Sequence, residues 1–249
     1  MCAMGRPWCA ALPIVSVPPG AAPRAVTLIY PFYENPGFLA RQIDGWRAWP
    51  AELRQHVSAI IVDDGSPDPA TLPADLPFPI QLFRIDVDVR WNWLAARNIG
   101  FHHAPEGWCL VTDIDHVIPE STLGSVVYGS LDSGVIYGFS RSEHNGVALA
   151  PHPNSWLLTR RMFWTVGGYD EALSGHYGTD GDWRRRCAAT APMQILRDRL
   201  IRFEHIGDSS TRRYLRKQPQ DAVVKSLVSS RRAGWRPKTL SFPYHQVAA

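Results

Sequence analysis

Aspartates recur where strands should end. Asp63 and Asp64 close the apolar run SAIIV in VSAIIVDDGSPDP, and Asp113 and Asp115 close WCLV in LVTDIDHVIPE. A third cluster, Asp180 and Asp182, stands in TDGDWRRRCAAT. A carboxylate at the end of a buried strand is costly unless something positive meets it. In open α/β sheets, ligands bind outside the carboxyl ends of the strands. If the two strands are neighbours, four carboxylates converge on one crevice, where they repel and raise one another's pKa in the absence of a cation. A hard divalent ion, Mn²⁺ or Mg²⁺, prefers such oxygen ligands and leaves room for substrate phosphates. The chemistry expected is a metal–diphosphate site. The sequence has neither a G-x-x-x-x-G-K-[ST] loop nor a G-x-G-x-x-G turn. The phosphates would therefore be held by the metal and by basic side chains, and Arg97 in AARNIG is well placed for that. Each cluster also has a plainer reading. Asp-Asp-Gly-Ser is ordinary turn chemistry, and Thr179 or Asp180 could simply cap a helix.

The elements that must position these groups alternate. AVTLIYPFY, VSAIIVD, FPIQLFRI and WCLVTDID read as strands. Between them, PGFLARQIDGWRAWP and NWLAARNIGFHHA read as helices, the second with Asn92 as a cap. PESTLGSVVYGSL reads as a helix with Pro119 in its first turn. GVIYGFS, NSWLLT and RLIRFEHIG read as further strands, and RRMFWTVGGYDEAL as a short helix broken at Gly167-Gly168. Alternation of this kind predicts an α/β domain with a mostly parallel sheet. The expected organisation is a flexible leader over residues 1–24, one domain over 25–208, and a basic C-terminal extension over 209–249.

Composition narrows the class. The chain has 249 residues, 45% of them hydrophobic, enough for one sizeable core. A net charge of +3 gives no argument for a nucleic-acid partner. The charge is uneven, with nine Lys or Arg and one acid between Arg212 and Lys238, so that segment reads as a solvated face or a peripheral membrane contact. Cys2, Cys9, Cys109 and Cys187 form no disulfide-framework spacing. A reducing, cytoplasmic setting is expected.

Five motifs in order resemble the GT-A fold glycosyltransferases of the inverting family 2. They are YPFYEN, VDDGSPD, WNWLAARNIG, TDID as the D-x-D motif, and FWTVGGYDEALSGHYGTDGDW, which is similar to a galactosyltransferase-like C-terminal motif. The resemblance runs from about Val26 to His205. It implies a single Rossmann-like GT-A domain with a mixed, mostly parallel sheet flanked by helices. It further implies a nucleotide-sugar donor, a UDP-sugar in class, and a carbohydrate, lipid-linked or protein acceptor, as in polysaccharide biosynthesis. Pro31, Tyr33 and Glu34 would line the base pocket, with Asp64 reading the base or ribose and Asp63 beside it. Arg97, Asn98 and Asp113 would meet the rest of the donor. Asp115 and His205 would bind the metal, Asp180 would be the catalytic base, and His176, Tyr177, Asp182 and Trp183 would face the acceptor.

Two features depart from the family pattern. Thr179 stands where the acidic pair usually has Glu, and His176-Tyr177 fill the turn where tryptophan is usual. Rival readings are a catalytically inactive nucleotide-sugar binder, favoured by Thr179, and a sugar-phosphate nucleotidyltransferase. YPFYENPG lacks the glycine-rich, basic loop that the latter needs.

Overall fold

A computed structural model of the chain describes residues 12–20, 22–203 and 222–248. Along the chain they form β1 (Ile14–Val15), β2 (Val26–Phe32), α1 (Pro36–Arg47), α2 (Ala51–Arg54), β3 (Val57–Asp63), β4 (Ile80–Ile85), α3 (Trp93–His103) and β5 (Trp108–Val111). Then come β6 (His116–Val117), α4 (Glu120–Tyr128), β7 (Ile136–Glu143), β8 (Ala148–Leu149), β9 (Trp156–Thr159), α5 (Arg160–Val166), α6 (Asp180–Thr190), β10 (Met193–Arg202), α7 (Ala222–Ser229) and β11 (Tyr244–Gln246).

The strands make one mixed sheet in the order β1-β10-β7-β9-β5-β2-β3-β4-β11. The run β5-β2-β3-β4 is parallel throughout. Its centre, β2, is buried at every residue, as a parallel strand covered on both faces must be. Its side chains alternate between two cores. Leu28 and Tyr30 pack with Ile43 and Trp46 of α1, and Ile29 packs with Ala95 and Ile99 of α3. Gly100 lets α3 approach closely, since a Cβ there would stand 2.4 Å from the Ile29 side chain.

This topology does what the acid spacing required. β3 and β5 flank β2 and run in its direction. Asp63-Asp64 and Asp113-Asp115 therefore leave the same edge of the sheet, about 10 Å apart at two strand spacings. The turn after each strand is tied back to β2, by Asp64 N–H donating to Phe32 O (2.8 Å) and Thr112 N–H to Ile29 O (3.2 Å).

Both expected boundaries differ from the packing. Within the segment read as a flexible leader, Ile14 and Val15 pair in parallel with Ile195 and Leu196 of β10, and Gly20 N–H donates to Tyr128 O (2.7 Å). The segment read as a basic C-terminal extension contributes β11, which pairs antiparallel with β4 at that edge of the sheet. Charge counts hid this strand. It is only three residues long and owes its place to partners, among them the Tyr244 hydroxyl at 3.0 Å from the His103 ring.

Candidate active site

At the end of β3 the two adjacent acids have separate fates. Asp63 is consumed by the fold. It accepts from Ser66 N–H (2.8 Å), Ala70 N–H (2.9 Å) and the Arg84 guanidinium (2.8 Å), so both of its oxygens hold the turn together. Its expected part in nucleotide binding is corrected to that of a brace. Asp64 is buried, and one of its oxygens, Oδ1, has no hydrogen-bond partner. Loss of water pushes its carboxyl well above the usual range, Asp63 and Asp88 add to this, and the Asn92 backbone N–H opposes it. Gly65, at φ +74°, turns the chain here, and a Cβ would strike Val87 O at 2.3 Å. Tyr33 crosses to the same loop, its hydroxyl 3.2 Å from Asp88. Glu34 takes φ +44° and donates its N–H to Ser66 Oγ (3.0 Å), while Pro31 is buried within β2 beside Val62.

The second cluster is organised around Arg97. This fully buried guanidinium pairs with Asp113, reaches the Tyr169 hydroxyl (3.2 Å) and lies over the Trp93 ring at 4.6 Å. Its burial is stabilised by that carboxylate and by the aromatic faces. Asp113 itself is 36% exposed at the side chain and so remains within a ligand's reach. Its other oxygen lies 3.3 Å from His152 Nε2, and His152 Nδ1 meets Ser155 Oγ at 3.0 Å. Burial holds His152 well below its ordinary pKa, helped by His116 and Arg141, so the imidazole is neutral. Asp115 is buried against His116 (2.6 Å), whose far nitrogen lies 3.3 Å from Arg141. Asn98, one residue beyond Arg97, is fully buried. Its amide is spent on Tyr169 N–H and C=O (both 2.8 Å) and on Glu171 (2.7 Å), correcting its expected role.

The third acidic cluster is built from the turn at 167–179. Gly167, at φ +96°, ends α5 in the left-handed conformation that suits glycine. Asp180 then opens α6, near-buried, with Arg184 at 3.3 Å. Thr179 precedes it and makes no side-chain cap. Asp182 is 4% exposed and is held by Arg186 (3.1 Å) and Arg231. Trp183 is core, with Tyr169 at 4.5 Å and Phe163 at 5.0 Å between ring centres. Both expected acceptor contacts are thus corrected to structural ones. His176 is half-buried and Tyr177 exposed, and the Tyr177 ring stands 5.2 Å from Trp91, a non-glycine residue at φ +57°.

His205 lies outside the described residues. Among the described residues no group of three or more His, Cys, Asp or Glu forms a metal cluster. The donor set that is present, Asp113 and Asp115 oxygens at the open end of a parallel sheet, fits a hard cation completed by phosphate oxygens. Sequence reasoning missed His152, Arg141 and Arg231. An H-x-x-S spacing and isolated arginines carry no signal until the fold brings them to an acid.

A mostly parallel sheet with paired acids at the ends of β3 and β5 defines a GT-A, Rossmann-like nucleotide-sugar transferase fold. Residues 27–184 match the profile of "Glycosyl transferase family 2", and the chain belongs to that family. Among solved structures it is similar to TarS 1-349 of S. aureus in complex with UDP-GlcNAc. The TM-score is 0.57 at 12% identity, covering 75% of this chain and 60% of that one. It is also similar to the mannosyltransferase PcManGT of Pyrobaculum calidifontis in complex with GDP-Man and Mn²⁺, with TM-score 0.58, 16% identity and coverage of 89% and 73%. GalNAc-T7 with UDP, GalNAc and Mn²⁺ matches at TM-score 0.54 and 14% identity, over 74% of this chain and 45% of that one. The chain thus spans about three-fifths of the TarS 1-349 chain. No curated protein matches it.

Proposed function

We propose that this chain transfers a sugar from a nucleotide-diphosphate sugar to an acceptor hydroxyl, with inversion and with a divalent cation. The observation that carries the reading is the meeting, around the end of β2, of an acid with a buried unpartnered oxygen, Asp64, and a second acid pair, the third-exposed Asp113 and the buried Asp115. Asp64 Oδ1 accepts from the base or ribose, which supplies the partner it lacks. Asp115 holds the cation with Asp113 beside it. The cation, Mn²⁺ or Mg²⁺, supplies Lewis-acid neutralisation of the departing diphosphate. Arg97 steadies Asp113 from beneath. Asp180, across the sugar, takes the proton of the attacking hydroxyl. One base and no covalent intermediate require inversion.

UDP leads as the nucleotide, because TarS and GalNAc-T7 are complexed with it, and GDP is next, from PcManGT. The acceptor is a carbohydrate, a lipid-linked sugar or a protein, in polysaccharide assembly or a related pathway. No helix among the described residues is long and apolar enough to cross a membrane. Contact with a lipid-linked acceptor, in this reading, is peripheral, through the basic residues beyond 208. The second reading, an inactive nucleotide-sugar binder, is favoured by Thr179, which replaces the first acid of the pair and makes no cap.

The test is a panel of UDP- and GDP-sugars with Mn²⁺, scored by release of free nucleotide and by the anomeric configuration of the product in NMR spectra. Release that stops in chelator, with an inverted product, is expected. Tight binding with no release from any donor supports the inactive binder, and release of pyrophosphate a nucleotidyltransferase.

A further inference from the structure

The acids around the start of α6 are neutralised from far along the chain. Arg231, just beyond α7, puts one arm of its guanidinium on Asp182 and the other on Asp170 (2.6 Å). The two carboxylates are 4% and 3% exposed and Arg231 is 13% exposed, so the bridge is nearly dry. Trp235 covers the guanidinium face at 3.6 Å. Arg186 completes the cluster. It pairs with Asp182 and donates to Val166 O (3.0 Å) and Gly168 O (2.7 Å), which ties α6 to the glycine turn.

The chain beyond Arg231 then laces the same turn by its backbone. Lys238 N–H donates to Asp170 (3.0 Å), and Glu171 accepts from Leu240 N–H (2.7 Å), Ser241 N–H (2.6 Å) and Ser241 Oγ (2.6 Å). Residues 231–241 are therefore a strap across the segment that carries Asp180. Asp182 sits in the first turn of α6, two residues after Asp180. Without Arg231, two buried carboxylates would lose their shared cation, and the first turn of α6 would move toward water to rehydrate Asp182.

We propose that Arg231 is a positioning residue for the transfer. By bridging Asp182 to Asp170 it fixes the first turn of α6, and so holds Asp180 at the distance from the acceptor hydroxyl that proton transfer needs. The inference rests on Asp180 being the base. A guanidinium fork can serve both acids at once, whereas a lysine ammonium is a single point charge.

A double-mutant cycle of Arg231 and Asp180 tests this, with turnover on a donor identified in the nucleotide-sugar panel and donor affinity measured by calorimetry. Arg231→Ala should lower turnover by roughly 10²-fold, the scale of a misplaced catalytic group, and leave donor affinity within about twofold of wild type. In the Asp180→Asn background the same change should add little, because a residue acting through another cannot harm it twice. Losses that multiply would overturn the proposal and make Arg231 a general stabiliser. If Arg231→Ala does not fold, Arg231→Lys keeps the charge without the bridge and carries the same cycle. Asp180→Asn with wild-type turnover is a different failure, since it removes the base assignment itself and the inference with it.

Discussion

At the ends of β3 and β5, Asp64 keeps a buried oxygen without a partner and Asp113 stays a third exposed beside a neutral histidine. Around the start of α6, Asp170, Glu171 and Asp182 have every oxygen engaged by Arg231, Arg186 or backbone N–H groups. All of them are acids in short polar runs, and their sequence settings look alike. The difference is that the fold engages every oxygen of the second set and leaves Asp64 Oδ1, in the first, without a partner. Unsatisfied buried polar groups are costly, so a protein that retains them at a strand end is prepared for a ligand that supplies the missing partner. The satisfied acids serve geometry.

Substitutions on the two sides should separate along that line. The largest effect is expected at Asp115. Asp115→Ala should remove turnover and its dependence on Mn²⁺ together, because the remaining groups cannot hold the ion in place. Residual activity that still responds to added Mn²⁺ would mean the ion is held elsewhere.

Asp64 gives an intermediate effect with two opposed signs. Its raised carboxyl means that the folded state holds the proton more tightly than the unfolded chain does. Its contribution to stability is present below the ordinary carboxylate pKa of 3.8 and is lost as pH rises through the raised value. Asp64→Asn should therefore raise the melting temperature at pH 8. It should also weaken nucleotide binding by roughly 10- to 100-fold. The amide oxygen stays on the Asn92 N–H, which leaves an NH₂ donor where Oδ1 had been an acceptor. A variant that is both less stable and unimpaired in calorimetric titration would assign Asp64 to the fold, alongside Asp63.

The smallest effect is at His152. Its pKa is lowered, so the unfolded chain takes up a proton first. Stability is lost as pH falls below about 6.5 toward the lowered value. Thermal melts between pH 7.5 and 5.5 should show this loss, and His152→Gln should reduce it. A pH dependence unchanged by the substitution would place the titrating group elsewhere.

The sheet was legible because its strands are β-branched runs ending at Pro, Gly or Asp, and because motifs kept their order from YPFYEN to TDGDW. What the residues on their own could not distinguish was the use of each acid. Asp63 and Asp64 are adjacent, yet one braces a turn and the other is unpaired, since successive side chains at a strand end point to opposite faces. Asn98 and Trp183 lie inside matching motifs and serve the scaffold, as their burial shows. The basic segment beyond 208 read as solvent-facing because charge counts do not reveal pairing. Arg231 was one of nine basic residues in that stretch, and only its approach to Asp170 and Asp182 sets it apart.

The most direct measurement is turnover and donor affinity of Asp180→Asn side by side. The amide keeps the size and helix position of the acid and removes only its basicity. Turnover lower by about 10²–10⁴-fold, the usual worth of general-base assistance, with donor affinity unchanged, is the expected result. Turnover near wild type in Asp180→Asn, with Asp182→Asn the inactive variant instead, would contradict the assignment and move the chemistry to the acid that the structure shows bound to Arg186 and Arg231.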